Sequence, residues 1–75
     1  MLQPKFFVVH SDSPGPWLKQ ALDLANLLGV CYWTAPMRPF SLEIPENQDE
    51  AQIARELLAG TQLKYHESTY NPCIY

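Results

Sequence analysis

Residues 40–45 of the chain read Phe40-Ser41-Leu42-Glu43-Ile44-Pro45, and this stretch decides the fold. Apolar and polar residues alternate through it, which predicts a β-strand with one face toward a core and one toward water. The three apolar residues are expected to face the core, with Ser41 and Glu43 on the opposite face. Pro45 ends the strand, because proline has no backbone N–H to give to a sheet.

Upstream of this strand, the sequence predicts a strand, a helix and another strand. A continuous apolar run predicts a buried strand over residues 5–11. Apolar residues at helical spacing predict a helix over 16–28, which begins at Pro16 and ends before Gly29. The β-branched and aromatic residues that follow predict a second strand over 30–35.

Downstream, the pattern predicts a second helix and a fourth strand. Asn47 and Glu50 have the spacing of a capping box, and the apolar stripe after them predicts a helix over 47–59. A weaker pattern predicts the fourth strand over 62–67. The strand that 40–45 defines is therefore the third of four and is expected over 39–44.

The element order is β-α-β-β-α-β, which indicates a single α+β domain over residues 1–67 with a C-terminal tail over 68–75. The simplest packing is the ferredoxin-like arrangement, a four-stranded antiparallel sheet of order 4-1-3-2 with both helices on one face. Each half then joins its parallel strands through a right-handed crossover.

Composition excludes several classes of protein. With 75 residues the chain is long enough for one domain, and its net charge is -3, from 5 Lys and Arg against 8 Asp and Glu. A nucleic-acid partner is not expected, because phosphate binding needs a basic surface. The apolar runs are too short for a membrane span or a signal peptide. We therefore predict a cytoplasmic protein with no membrane partner.

The cysteines and histidines are ligand types that suit zinc, but the predicted sheet separates them. His10 lies late in strand 1 and His66 late in strand 4, and antiparallel strands place these at opposite ends. Cys31 and Cys73 belong to opposite edges, about 14 Å apart, unless the tail crosses the sheet. We predict no metal site, no cofactor and no essential disulfide.

The first turn offers the one candidate for acid–base chemistry. His10 and Asp12 are two residues apart, so on an extended strand they share a face, and such a pair can orient an imidazole. No Ser or Cys nucleophile is tied to them by sequence, so no catalytic residue is assigned. An anion site at the start of the first helix is disfavoured, because Pro14 and Pro16 remove two N–H donors and Asp12 repels anions.

The aromatic residues give the strongest functional signal. Strand 1 is apolar on both sides, so the sheet face opposite the helices carries a Phe, a Val and either Tyr32 or Trp33, with polar neighbours. An exposed aromatic patch with a polar border is typical of a protein interface. The expected interface consists of Phe7, Val9, Tyr32, Trp33, Glu43, Lys64 and His66. In the alternative structure, the tail folds back through Ile74 and Tyr75 and covers this face.

The leading hypothesis is a small non-enzymatic protein-binding module, a regulator, adaptor or inhibitor, that binds a protein partner or a second copy of itself through this face. The alternative is a small ligand-binding or catalytic domain that uses His10 and Asp12 near the first turn. A pocket beside His10 favours the alternative, and a flat, apolar open face favours the leading hypothesis.

Overall fold

The computed structural model describes residues 4–45 and 48–73 and shows two helices and a four-stranded antiparallel sheet. The elements are β1 (Lys5–Val9), α1 (Trp17–Leu28), β2 (Cys31–Trp33), β3 (Phe40–Ile44), α2 (Gln48–Ala59) and β4 (Tyr65–Ser68). The strand order is β2-β3-β1-β4, which is 4-1-3-2 counted from the other edge. The protein is therefore of the α+β class, with the predicted element order.

The start of β4 differs most from the sequence prediction, which placed it at residue 62. The hydroxyl of Thr61 donates to the Leu58 carbonyl at 2.7 Å and accepts from the Leu63 N–H at 3.2 Å. These bonds fold the chain around the end of α2, so the strand begins only at Tyr65. The capping box predicted at Asn47 lies outside the described residues.

The core lies between the helices and one face of the sheet. Phe7 and Val9 of β1 face this side, where they join alternate residues of β3 and apolar residues of both helices in one cluster. The other members are Ala21, Leu24, Ala25, Phe40, Leu42, Ile44, Ala51, Ala54, Leu58 and Leu63. Gly29 ends α1 with a φ of 67°, the left-handed conformation that the sequence predicted for it.

The opposite face of the sheet is not open to water over its whole area. Strand alternation and register place Phe6, Val8, Ser41 and Trp33 on this face. The exposed fractions of Phe6, Val8 and Ser41 are only 8%, 2% and 0%. A further layer of the chain must therefore cover them.

The C-terminal segment provides that layer. The Cys73 thiol donates to the carbonyl oxygens of Pro39, at 2.9 Å, and Trp33, at 3.4 Å, on the β2 side of the sheet. The chain leaves the sheet at Ser68, in the opposite edge strand. The five residues 69–73 reach about 17 Å when extended. The sheet measures about 14 Å from β4 to β2, which is three strand spacings, so this segment is long enough to cross it.

Because the helices occupy the other face, residues 69–73 cross the sheet on the side of Ser41, and we call them the crossing segment. Ser41 was expected to face water, and that expectation is wrong because the residue is fully buried on this face. The predicted covering role of Ile74 and Tyr75 concerns residues outside the described part of the chain.

Candidate functional site

A groove of about 780 Å³ opens at the end of the sheet where β1 ends and β4 begins. It lies between the β1–α1 connection and the loop that joins β2 to β3. We call it the end groove, and its principal side chains are those of His10, Asp12, Trp17, Met37, Arg38 and His66. Val8 also lines the end groove, so the groove adjoins the sheet face opposite the helices.

His10 and His66 lie side by side in the wall of the end groove. The His10 Nε2 is 2.6 Å from the His66 Nδ1, and the two rings meet edge to face at 75°. The sequence analysis placed these residues at opposite ends of the sheet, and that prediction is wrong. Since β4 begins at Tyr65, His66 lies early in the strand and pairs with Val8, two residues before His10.

Ser13 fixes the backbone beneath this pair. Its hydroxyl donates to the His10 carbonyl at 2.8 Å and accepts from the Lys64 N–H at 2.8 Å. The His10 N–H also donates to the Lys64 carbonyl at 2.8 Å, and Ser13 is only 7% exposed. The β1–α1 connection is therefore tied directly to the residues that enter β4, which holds the two imidazoles together.

Asp12 and Lys64 form an ion pair at the rim of the end groove. The Lys64 Nζ is 3.4 Å from the Asp12 Oδ2, and the Asp12 Oδ1 is 4.0 Å from the His10 Nδ1. Both charged side chains are more than half exposed, so the interaction is weak in energy. It nevertheless offsets the negative charge that Asp12 brings to the site.

Arg38 faces the end groove from the β2–β3 loop. Its Nη1 donates to the Pro72 carbonyl at 3.3 Å, which links the loop to the crossing segment. Next to it, Met37 has a φ of 64° and a fully exposed side chain. A guanidinium has five N–H donors, so this one bond leaves most of them available to a ligand.

The residues of the predicted interface do not share one surface. Trp33, Glu43 and His66 lie on the face opposite the helices, as expected, whereas Phe7 and Val9 are fully buried beneath the helices. The two faces of β1 were assigned the wrong way round: Phe6 and Val8, and not Phe7 and Val9, lie on the sheet face opposite the helices.

Tyr32 and Lys64 also lie elsewhere than predicted. Tyr32 is on the helix side, where its ring stacks on Phe40 with centroids 5.4 Å apart, and it remains 45% exposed. Lys64 precedes β4 and interacts with Asp12 instead of the sheet face.

Sequence reasoning identified His10 and Asp12 but missed Ser13, Trp17, Met37 and Arg38 as components of a site. Proline and glycine correctly marked both connections as turns. Nothing in the spacing, however, shows that two turns separated by α1 and β2 enclose one groove. That proximity follows from the strand order, since β1 and β3 are neighbours.

Over residues 4–45 and 48–73, neither helix is long and apolar enough to cross a membrane. The same residues contain no cluster of three or more His, Cys, Asp or Glu side chains arranged to hold a metal ion. Comparisons of the chain with protein-family models, with curated proteins and with solved structures give no significant match.

Proposed function

We propose that the protein is a small ligand-binding module and that the end groove binds a small organic anion with an apolar body. The size of the groove supports this function, because sites for small molecules commonly measure about 300 to 1,000 Å³. Trp17, Leu18 and Met37 supply apolar surface, and His10, His66 and Arg38 supply polar groups that converge on the same space.

The charge around Arg38 is the observation that carries this proposal. The chain has five cationic side chains and a net charge of -3. Lys5, Lys19, Arg55 and Lys64 each form an ion pair with a carboxylate. Among the described residues, no carboxylate lies within 4.0 Å of Arg38, the remaining cation.

A guanidinium that lines a groove, with no carboxylate of the described residues within 4.0 Å, matches the planar, two-oxygen geometry of a carboxylate or phosphate. Asp12 was expected to repel an anion from this region. The Lys64 ammonium at 3.4 Å offsets that repulsion.

A pair of naphthalene probes tests the proposal. Titration of 1-naphthoate into the ¹⁵N-labelled protein is expected to shift the backbone resonances of Trp17, Arg38 and His66. The neutral analogue 1-naphthalenemethanol is expected to bind at least fivefold more weakly. Arg38→Gln should remove that difference, whereas Lys19→Gln, which alters an exposed cation paired with Asp23, should preserve it. Equal binding of both probes, or shifts confined to other surfaces, would refute the proposal.

A second candidate function is self-association through β2, an edge strand of the described sheet. This edge strand consists of Cys31, Tyr32 and Trp33, which are exposed and uncharged. The opposite edge strand, β4, carries Glu67 in ion pairs, and charged edges resist pairing with another chain. We propose that β2 of a second copy pairs with this edge and extends the sheet.

The oligomeric state tests this second candidate. Sedimentation equilibrium should show a dimer that Tyr32→Lys converts to a monomer. Ile53→Lys alters another half-exposed apolar side chain, on α2, and should leave the dimer intact. A monomer at every concentration, or equal effects of the two substitutions, would exclude the β2 edge as the interface.

Two further assignments remain proposals. The strand order, and the packing of both helices in one cluster with a single sheet face, support a ferredoxin-like arrangement. The cytoplasmic location rests on the sequence argument alone.

A further inference from the structure

We propose that His10 and His66 form a binding site for a divalent transition-metal ion, of the class of Zn²⁺ or Ni²⁺, in the wall of the end groove. The proposal rests on the relative position of the two imidazoles and does not depend on the anion proposed above. It also revises the prediction of no metal site, which assumed that the two histidines lie at opposite ends of the sheet.

The separation of the two ring nitrogens supports a metal site. The His10 Nε2 and the His66 Nδ1 face each other at 2.6 Å. An N–H hydrogen bond to oxygen usually spans about 2.9 Å, so this contact between two nitrogens is short. A zinc ion lies about 2.0 to 2.1 Å from each histidine nitrogen, which at near-tetrahedral angles separates the nitrogens by roughly 3.3 Å. Small rotations of the two rings, opening the pair by less than an ångström, therefore produce a chelating geometry.

The backbone that carries the two rings is held by hydrogen bonds on both sides of the pair. The His10 N–H and carbonyl are both hydrogen-bonded, the first to the Lys64 carbonyl and the second to the Ser13 hydroxyl. His66 is held in the sheet through its pairing with Val8. Ligands on fixed elements bind with a lower cost in conformational entropy than ligands on a free loop.

The Asp12 carboxylate lies near the His10 ring on the side away from His66. The Nδ1 of His10, the ring nitrogen that faces away from His66, is 4.0 Å from the Asp12 Oδ1. Histidines that bind metals commonly direct their other ring nitrogen to a carboxylate, which orients the ring and increases its basicity. Lys64 in turn holds the other oxygen of Asp12 at 3.4 Å. Asp12 is thus a positioning residue and not a ligand.

Two histidines leave positions in the metal's coordination shell open toward the end groove. Over the residues that the structure describes, no third His, Cys, Asp or Glu joins them in a cluster. Water or an exogenous ligand is expected to complete the shell, and the affinity should lie below that of closed four-ligand sites. Imidazole favours zinc, nickel and copper over calcium and magnesium, which sets the class of ion.

Zinc titration by calorimetry tests the proposal in the full chain at pH 7.5. The parent protein carries Cys31→Ser and Cys73→Ser, so that no thiol competes for the metal. One Zn²⁺ per chain is expected. His10→Gln and His66→Gln should each weaken binding more than tenfold, and Asp12→Asn should weaken it about tenfold. Asp23→Asn, which removes an exposed carboxylate on α1, is the matched control and should not change the affinity.

Two further measurements separate a metal site from a change in folding. Far-ultraviolet circular dichroism must show the same helix content for every variant that is compared. In the parent protein, Zn²⁺ should shift the side-chain ¹⁵N resonances of both imidazoles together. No stoichiometric binding, binding that survives either histidine substitution, or a shift of only one imidazole would overturn the proposal.

Discussion

Val8 and Ser41 are register partners on the sheet face opposite the helices, and both are buried. Neither helix covers this face, and we attribute the burial to the crossing segment over residues 69–73, whose Cys73 bonds to Trp33 and Pro39. A small domain has little apolar area to spare, and a third layer over one sheet face increases its core. The crossing segment is therefore expected to contribute to folding as well as to the shape of the end groove.

Removal of the crossing segment tests that contribution. Truncation after Ser68 returns Phe6 and Val8 to water, and burial of a large apolar side chain stabilises by about 1.5 to 3 kcal/mol. We expect the free energy of unfolding, measured with urea, to fall by about 3 kcal/mol or more.

If the truncated chain does not fold, its free energy of unfolding is not measurable, so a point variant provides a second measurement. Phe6→Ala in the full chain should cost roughly 3 to 5 kcal/mol if the segment covers Phe6. A loss below about 1 kcal/mol would mean that this ring faces water.

Ser13 and Ser41 are both buried serines, but within residues 4–45 and 48–73 only the Ser13 hydroxyl has hydrogen-bond partners. Ser13→Ala leaves the Lys64 N–H without its acceptor at 2.8 Å, while the His10 carbonyl loses the hydroxyl at 2.8 Å and keeps the Ser13 backbone N–H at 3.2 Å. We expect a loss of about 1 to 3 kcal/mol in the free energy of unfolding, the usual cost of unpaired buried polar groups.

Ser41→Ala is the matched comparison and should behave in the opposite way. Ser41 is fully buried, and its hydroxyl has no hydrogen-bond partner among the residues that the structure describes. Replacement by a methyl group removes an unsatisfied polar atom, so stability should stay the same or increase by up to about 1 kcal/mol. If the two substitutions prove equally destabilising, the hydrogen bonds assigned to Ser13 do not contribute.

The order of the elements was predictable from the sequence because Pro, Gly and apolar spacing act locally. Two features of the site were not predictable from the sequence. The assignment of Phe7 and Val9 to the open face failed because β1 is apolar on both sides, and its parity depends on the register with β3. The proximity of His10 to His66 was missed because a weak pattern started β4 three residues early, which moved His66 toward the wrong end of the strand.

The two cysteines are expected to differ in reactivity toward alkylating agents. Cys31 is exposed in the edge strand, whereas burial raises the pKa of the Cys73 thiol, an effect that the nearby Arg38 only partly offsets. The Cys73 thiol also donates to the Pro39 carbonyl at 2.9 Å. Because the thiolate is the nucleophile, Cys73 should react with iodoacetamide on the order of tenfold more slowly than Cys31 at pH 7.5.

Single-cysteine variants measure the two rates separately. Cys73→Ser reports on Cys31, and Cys31→Ser reports on Cys73. Addition of urea should make the two rates similar, since unfolding exposes both thiols. Equal rates in the native protein would show that the crossing segment does not hold Cys73 against the sheet.

The pKa of the Glu67 carboxyl makes the free energy of unfolding depend on pH. Hydrogen bonds from Arg55, and more weakly from Lys5, lower the pKa of the Glu67 carboxyl from its ordinary value of 4.5 to about 2, although partial burial acts in the opposite direction. A lowered folded-state pKa gives stability that is fully present above the unfolded-state value and is lost as the pH falls toward about 2. The carboxylate is about 30% exposed, so the contribution should be near 1 kcal/mol.

The stability difference between the wild type and Glu67→Gln should therefore be largest above pH 4.5, should decrease as the pH falls toward about 2, and should vanish below that pH. Titration of the Glu67 side-chain carbon by NMR gives the pKa directly. Arg55→Gln should raise that pKa more than Lys5→Gln, because the Arg55 Nε and Nη2 each donate to the carboxylate at 2.8 Å, whereas the single Lys5 contact is 3.1 Å long. A larger effect of Lys5→Gln, or a stability difference that is as large at pH 2 as above pH 4.5, would contradict this assignment of the Glu67 charge.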